Sequence, residues 1–309
     1  MRRALALLLL VSLLGLVAAS CGGDDDEPDT AAPVTEAADT GAATEEEEAP
    51  DACAPESLEL VNEGRLTIGT DNPAFPPWFE GGSETDDWEL NDPATGEGYE
   101  SAVAYLVAEE LGFAEGDVDW TAVPFNQIFR PGPKSFDFAI NQVSYTPERD
   151  EAVDFSASYY DVNQAVVTVE GSDIEGATTV AELGDARLGA PVGTTSYQTI
   201  VDVVQPSQEP RVYDDLNATV SALGAGQVDG IVVDLPTAFF VTAVQIDGGS
   251  IVGQFRGGDE QEYFGLVVED GNPLRDCLDE ALAALRESGA LEAAQQEWLA
   301  DKASAPFLD

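Results

Sequence analysis

Strand-like and helix-like patterns of apolar residues alternate from about residue 58 to the end of the chain. Short apolar or alternating runs typical of strands lie at 66–70, 118–123, 136–140, 165–169, 188–192 and 230–233. Between them, apolar positions recur at helical spacing, as at Val103, Leu106, Val107 and Leu111. This alternation predicts an α/β protein with parallel strands. The unbroken run 230–233 predicts a strand covered on both faces.

Glycine and proline mark where the predicted helices end. The stripe that begins at Val103 stops at Gly112, and a helix predicted to start near Thr195 stops at Pro206. The C-terminal stripe stops at Gly289 and consists of Leu274, Leu278, Ala281, Leu282 and Leu285. A last helix is predicted to run through Trp298.

The first 20 residues have the composition of an export signal. Arg2 and Arg3 are followed by an almost entirely apolar run at 4–17 and by small residues at 18–20. The run is shorter than the ~20 residues of a membrane-spanning helix, which favours cleavage over a permanent anchor. The cleavage region resembles a bacterial lipoprotein lipobox, although Ala18 stands where that pattern prefers leucine. We predict lipidation of Cys21, with simple secretion as the alternative.

An acidic segment of low complexity follows the signal. Residues 22–56 contain 13 acidic residues and no Lys, Arg, aromatic, Leu or Ile residue. Such a segment buries too little apolar area to offset the entropy lost on ordering, and its like charges keep it extended. We interpret residues 21–56 as the lipidated cysteine and a disordered acidic linker that acts as a solvated spacer.

The charge balance excludes several classes of function. The 309 residues include 60 Asp and Glu, 12 Lys and Arg and no His, a formal net charge of −48, and residues 57–309 alone carry −37. Binding to nucleic acid or to anionic lipid needs a basic face. The lack of histidine removes Ser-His-Asp and Cys-His catalysis and the commonest zinc ligand. The acidity fits either a high-salt habitat or an acidic cell-surface protein.

Two cysteines remain besides Cys21. Leftover cysteines of an exported protein most often pair, so Cys53 and Cys277 are predicted to form a disulfide. The bridge would join the N-terminal entry of the folded region to a C-terminal helix. In the chain-entropy model, closing a loop of about 220 residues contributes on the order of 5 kcal/mol.

The common signatures of nucleotide and hydrolase sites are absent from the sequence. The P-loop and dinucleotide glycine patterns, G-x-S-x-G and S-x-x-K do not occur. Carboxylates are so frequent that no glycosidase pair can be singled out. We therefore expect no cofactor and no metal.

One segment stands out by its chemistry. Ser144, Thr146 and Arg149 are followed by Val-Asp-Phe-Ser at 153–156, and a guanidinium matches a carboxylate with two hydrogen bonds. Taken alone, Arg149 is more often a surface ion-pair partner. The whole segment, however, resembles bacterial extracellular solute-binding proteins of family 3, the amino-acid-binding receptors of ABC importers. Further motifs resemble this family in the same order, at 66–79, 98–100, 193–196, 226–234 and 263–298.

The resemblance covers about residues 64–300 and implies the fold. It implies an α/β, two-lobed periplasmic-binding-protein clamp of type II, in which each lobe is a mainly parallel sheet flanked by helices. Lobe 1 is expected at 57–162 plus 260–309 and lobe 2 at 163–259, with crossings near 160–164 and 254–263. The ligand is expected in the cleft at strand ends and helix N-termini, where N–H groups favour an anion.

The resemblance also implies how an amino acid is held. Arg149 binds the α-carboxylate with help from Ser144 and Thr195, Asp234 binds the α-ammonium, and Phe75 covers the apolar part. The other candidate contacts are Asp71, Trp78, Phe125, Asn141, Gln142 and Thr194. Structural alternatives stay open for several: Thr194, Thr195 and Asp234 are suited to capping helices, Asp71 to capping a turn, and Phe75, Trp78 and Phe125 to a core.

We therefore predict a lipid-anchored receptor on the outer face of the cytoplasmic membrane, at the cell surface or in the periplasm. It captures an amino acid and delivers it to the permease subunits of an ABC importer, acts as a monomer, binds no nucleic acid and is not an enzyme. One alternative is a periplasmic dehydratase-like enzyme with Asp71 or Asp234 as general acid. The other is a sensory or adhesive domain on the same fold.

Overall fold

All six predicted strand runs contain strands in the computed structural model, which describes residues 52–82, 87–256, 261–299 and 305–309. Within these residues ten strands form two five-stranded sheets. The strands are β1 Leu66–Thr70, β2 Val118–Ala122, β3 Phe138–Ala139, β4 Val153–Asp161, β5 Gln164–Val169, β6 Leu188–Pro191, β7 Arg211–Tyr213, β8 Gly230–Asp234, β9 Gly249–Gln254 and β10 Tyr263–Glu269.

The helices pack on both sheets. They are α1 Tyr99–Glu110, α2 Phe125–Ile128, α3 Pro147–Asp150, α4 Thr195–Thr199, α5 Leu216–Gly224, α6 Leu235–Phe240, α7 Leu274–Ser288 and α8 Ala290–Leu299. Helices α4 and α6 continue into π-helical turns at Ile200–Val204 and Val241–Gln245. Gln205, in a left-handed conformation, and Pro206 then end the first of these, as the sequence predicts.

The two sheets share one plan. The first has the order β2-β1-β3-β10-β4 and the second β7-β6-β8-β5-β9. In each, the first three strands are parallel, whereas the last two pairings are antiparallel. The predicted two-lobed α/β fold is confirmed: each sheet is mixed, and four of its five strands run in the same direction. The fifth strand, β10 in the first sheet and β5 in the second, follows a crossing between the lobes and runs against the other four.

The crossings join strands of different lobes. β4 passes into β5 through Val162 and Asn163, and β9 leads back towards β10. The C-terminal residues 305–309 belong with lobe 2, where the sequence prediction placed them in lobe 1. The Leu308 N–H donates to the Gln254 carbonyl (3.0 Å), and its side chain is buried in the lobe 2 core. The apolar contact with that core decides the position of this segment.

The burial pattern confirms the predictions for the C-terminal apolar stripe and for the apolar run 230–233. Every residue of the predicted α7 stripe is buried, and the stripe packs in the lobe 1 core. In β8, Val232 belongs to a core on one face of the sheet, while Ile231 and Val233 belong to a core on the other. The strand is therefore covered on both faces, as its unbroken apolar run indicates.

A disulfide joins the start of the described chain to α7. Cys53 is bonded to Cys277, with the two Cα atoms 5.4 Å apart. Residues 52–57 have a defined conformation that includes a 3-10 turn at Pro55–Ser57. The predicted linker boundary at residue 56 is thus too late, because the bridge holds the chain from Cys53 onward.

Most of the predictions for the N-terminal part of the chain concern residues outside those that the structure describes. The export signal at 1–20, the lipidation site Cys21 and the linker up to residue 51 lie outside the described residues. Among the helices that are described, none is both long enough and apolar enough to cross a membrane.

Candidate ligand-binding site

A cavity of about 380 Å³ lies between the two lobes. Lobe 1 lines it with the loop after β1, the start of α2 and the segment between β3 and α3. Lobe 2 lines it with the loops that lead into α4, α5 and α6. Ten of the eleven predicted ligand contacts line this cavity: Asp71, Phe75, Phe125, Asn141, Gln142, Ser144, Arg149, Thr194, Thr195 and Asp234.

Arg149 lies at the junction of the lobes. Its Nη1 donates to the Ser144 carbonyl (2.6 Å) in lobe 1, and its Nη2 donates to the Gly193 carbonyl (2.7 Å) in lobe 2. The guanidinium carbon lies 4.5 Å from the centre of the Phe129 ring. Burial lowers the pKa of Arg149 to about 10, so the side chain stays charged at neutral pH. Two carbonyl contacts leave the remaining guanidinium N–H groups for an anion.

Ser144 and Thr195 form a polar chain across the cleft. The Ser144 hydroxyl donates to Glu262 Oε1 (2.6 Å), since an ionised carboxylate only accepts. The hydroxyl oxygens of Ser144 and Thr195 are 3.2 Å apart, so Thr195 is the donor of that bond. Gln164 Nε2 also donates to Glu262 (3.1 Å). Both hydroxyl protons are thereby used inside the protein, so the groups near them that can still donate to an anion in the cavity are the Arg149 guanidinium and backbone N–H groups.

Asp234 and Thr194 each cap a helix at the cavity wall. Asp234 accepts from the Thr237 N–H (2.9 Å) at the start of α6. Thr194 accepts from the Tyr197 N–H (3.3 Å) and donates to the Pro191 carbonyl (2.8 Å). The capping alternatives are therefore correct for these two residues. Thr237 thus holds the Asp234 carboxylate through its N–H and also through its side chain, and the remaining lone pairs of the carboxylate can accept from a ligand in the cavity. Burial raises the pKa of Asp234 to about 6.

Trp78 does not line the cavity. Its ring is fully buried in lobe 1 against Tyr99, Tyr160 and Phe264, at centroid distances of 5.5–6.0 Å. Its Nε1 donates across the cleft to the Thr237 hydroxyl (3.0 Å). The predicted ligand contact is thus a core residue that ties lobe 1 to α6, because its large ring fits the aromatic cluster behind the β1 loop.

The cavity lining is rich in carboxylates. Asp71, Asp214 and Asp215 line the cavity in addition to Asp234. Asp71 accepts from the Asn72 N–H (2.8 Å), and burial, with a further contribution from the Asp215 charge, raises its pKa. Asp215 accepts from the Ala218 N–H (2.7 Å) and caps α5. Among the lining residues that the structure describes, Arg149 is the one Lys or Arg.

The sequence model of one protein family, the bacterial extracellular solute-binding proteins of family 3, matches residues 66–301 of this chain. The chain belongs to this family. The family predicted from the sequence motifs is thus confirmed, over nearly the range that those motifs indicate.

Family 3 proteins with named ligands are similar to this chain. The L-cystine-binding protein TcyJ of Escherichia coli K12 is 26% identical over 240 residues, covering 76% of this chain and 82% of that protein. The ABC transporter arginine-binding protein 1 of the same strain is 29% identical over 170 residues, covering 53% of this chain and 67% of that protein. The structure of an ancestral arginine-binding protein bound to glutamine matches with a TM-score of 0.62 at 26% identity. The match covers 77% of this chain and 98% of that protein.

The family motifs led to ten of the 25 lining residues and missed other residues that shape the site. Glu262 and Gln164 lie at the crossings, where the sequence pattern says only that the chain passes between lobes. Asp214 and Asp215 precede α5, and an acidic pair carries no signal in a chain with 60 acidic residues. Glu100 belongs to a quoted motif, and only its contact with Gln142 shows that it borders the site.

Proposed function

We propose that this chain captures a free amino acid between its lobes and delivers it to the permease of an ABC importer. The observation that carries the proposal is the placement of Arg149 and Asp234 in one cavity whose walls come from both lobes. A buried guanidinium and a carboxylate in the same cavity match the two charges of an α-amino acid. The named family relatives, including one called an ABC transporter arginine-binding protein, support this reading.

Binding is coupled to closure of the clamp. Groups from lobe 1, such as Arg149, and groups from lobe 2, such as Asp234, contact one ligand together only when the lobes are closed. The ligand therefore has a higher affinity for the closed form and shifts the equilibrium towards it. The permease then distinguishes the loaded protein by its shape.

Export and lipidation complete the proposal. Cleavage before Cys21 and lipid attachment there would hold the protein on the outer face of the membrane, with the acidic segment as a tether. A single folded chain contains both lobes of the cleft, so we propose that it acts as a monomer. We further propose that it releases its ligand unchanged and catalyses no reaction.

A thermal-shift screen of the mature protein against the twenty amino acids tests the central proposal. A ligand at 100 times its Kd adds about 2.7 kcal/mol to the free energy of unfolding, which gives a clear rise in Tm. Mass analysis of the ligand recovered after release is the second readout. No rise with any amino acid would contradict amino-acid capture, and a chemically altered ligand would indicate an enzyme.

A further inference from the structure

A carboxylate behind the cavity wall holds Gln142. Glu100, the second residue of α1, has no exposed surface. Its Oε1 accepts from the Gln142 backbone N–H (2.6 Å) and from the Tyr159 hydroxyl, and its Oε2 accepts from Gln142 Nε2. Glu100 therefore contacts both the backbone and the side chain of a residue that lines the cavity.

These contacts determine which end of the Gln142 amide faces the cavity. One Nε2 hydrogen goes to Glu100 and the other to Asn141 Oδ1 (3.3 Å). Gln142 Oε1 accepts no hydrogen bond from the residues that the structure describes. An ionised carboxylate has no hydrogen to donate, so Gln142 must turn its NH2 group to Glu100. Its carbonyl oxygen is then left for a ligand.

The Gln142 backbone is held in an uncommon conformation as well. Its φ of 46° lies in the left-handed region, which residues other than glycine seldom adopt. Such conformations persist only where the surroundings enforce them, and they concentrate at binding sites. The bond from the Gln142 N–H to Glu100 Oε1 is one contact that holds the backbone in this conformation.

The other charged groups of the cavity favour the same kind of ligand side chain as the Gln142 oxygen, namely one that donates hydrogen bonds. Asp71, Asp214 and Asp215 add three carboxylates that the α-amino and α-carboxylate groups of a ligand do not need. If Arg149 binds the α-carboxylate, no second Lys or Arg from the described lining residues is left for an acidic side chain.

The geometry points to Glu100 as a positioning residue. It fixes the Gln142 amide with the carbonyl oxygen towards the cavity, so that the site selects amino acids whose side chains donate hydrogen bonds. Ammonium, guanidinium and primary amide groups qualify, whereas a carboxylate does not. This inference rests on the proposed function, because it concerns the ligand of the same cavity.

Isothermal titration with arginine, glutamine and glutamate tests the inference. Glutamine and glutamate are the informative pair, since they are nearly equal in shape and differ in the donor group. The titrations are run at pH 8, above the pKa of Glu100, which burial raises to about 7. For the wild type we expect glutamine to bind at least about tenfold more tightly than glutamate, and arginine to bind as well.

Two substitutions at Glu100 separate positioning from packing. E100Q keeps the shape but lets Gln142 turn its amide over, so the glutamine-to-glutamate affinity ratio should fall at least about fivefold. E100D is the larger change in shape but keeps a group that only accepts, so the ratio should stay within about twofold even if every affinity falls. E110Q, an exposed glutamate near the other end of α1, is the matched control and should change nothing.

The Q142A variant tests the glutamine-to-glutamate affinity ratio independently of Glu100. It should lower the ratio as much as E100Q does, and the double variant should lower it no further, because Glu100 acts through Gln142. If E100Q does not fold, a retained ratio in E100D together with a reduced ratio in Q142A supports the inference, and any other combination overturns it.

The outcomes distinguish this inference from the proposed function. If no amino acid binds to the wild type, the proposed function fails and the inference fails with it. If amino acids bind but E100Q weakens all three equally, or E110Q lowers the ratio as well, only the inference is overturned.

Discussion

Arg149 in lobe 1 donates a hydrogen bond of 2.7 Å to the carbonyl oxygen of Gly193 in lobe 2. The residue proposed to bind the ligand carboxylate thus also contacts the opposite lobe. Under this proposal, ligand binding and the contact between the lobes share one side chain, so a change at Arg149 should affect both.

Replacing Arg149 with alanine should abolish most amino-acid binding. Two charge-assisted hydrogen bonds to the ligand, at about 1.5 kcal/mol each, correspond to at least about a hundredfold rise in Kd. Titration calorimetry measures it. Arg130→Ala removes an exposed guanidinium outside the cavity lining and serves as the control. Ordinary titration heats with Arg149→Ala would rule out its role as the carboxylate-binding residue.

Amino-acid affinity should depend on pH through Asp234. Its pKa is raised by burial to about 6, and only the ionised form pairs with an ammonium group. Through this group, affinity should therefore fall as the pH drops below about 6, approaching tenfold for each further pH unit. Kd measured from pH 5 to 8 tests this. The Asp234→Asn variant should bind weakly and lack this pH dependence, and an unchanged slope in that variant would assign the titration to another group.

Loss of the Cys53–Cys277 disulfide should destabilise the fold without changing affinity. The bridge spans a sequence separation of 224 residues. Removing a native disulfide typically lowers the free energy of unfolding by about 2–5 kcal/mol. Denaturant unfolding of C53S/C277S measures the loss, and a reductant should have no effect on that variant. Because neither cysteine lines the cavity, a large change in Kd would contradict the separation of these two roles.

Replacing Trp78 with phenylalanine should weaken closure of the clamp. The change keeps an aromatic ring in the lobe 1 core but removes the Nε1–H that donates to Thr237 of lobe 2. Loss of about 1 kcal/mol from the closed form raises Kd roughly fivefold. Trp120→Phe is a matched control, since its Nε1 donates to Tyr105 within lobe 1 (3.3 Å). Equal effects of the two substitutions would show that the Trp78 contact does not contribute to closure.

Local pattern and motifs were sufficient for six of the ten strands that the structure describes and for ten of the 25 residues that line the cavity. The apolar run 230–233 predicted a strand with both faces covered, because side-chain alternation is a local property of the chain. Arg149, Ser144 and Asp234 followed from family motifs of a few residues each. Strands such as β7, of three residues with two exposed, have too little apolar pattern to be found this way.

The sequence by itself determined the family, the α/β class, the cysteine pair and the arginine suited to an α-carboxylate, since each depends on residue type and short-range spacing. Only the tertiary structure decided that Trp78 joins the lobes instead of touching the ligand, that the Ser144 hydroxyl donates to Glu262, and that Glu100 orients Gln142. These contacts join residues 42–159 positions apart. Their direction depends on which donors and acceptors meet after the two lobes have folded, and no local pattern encodes that.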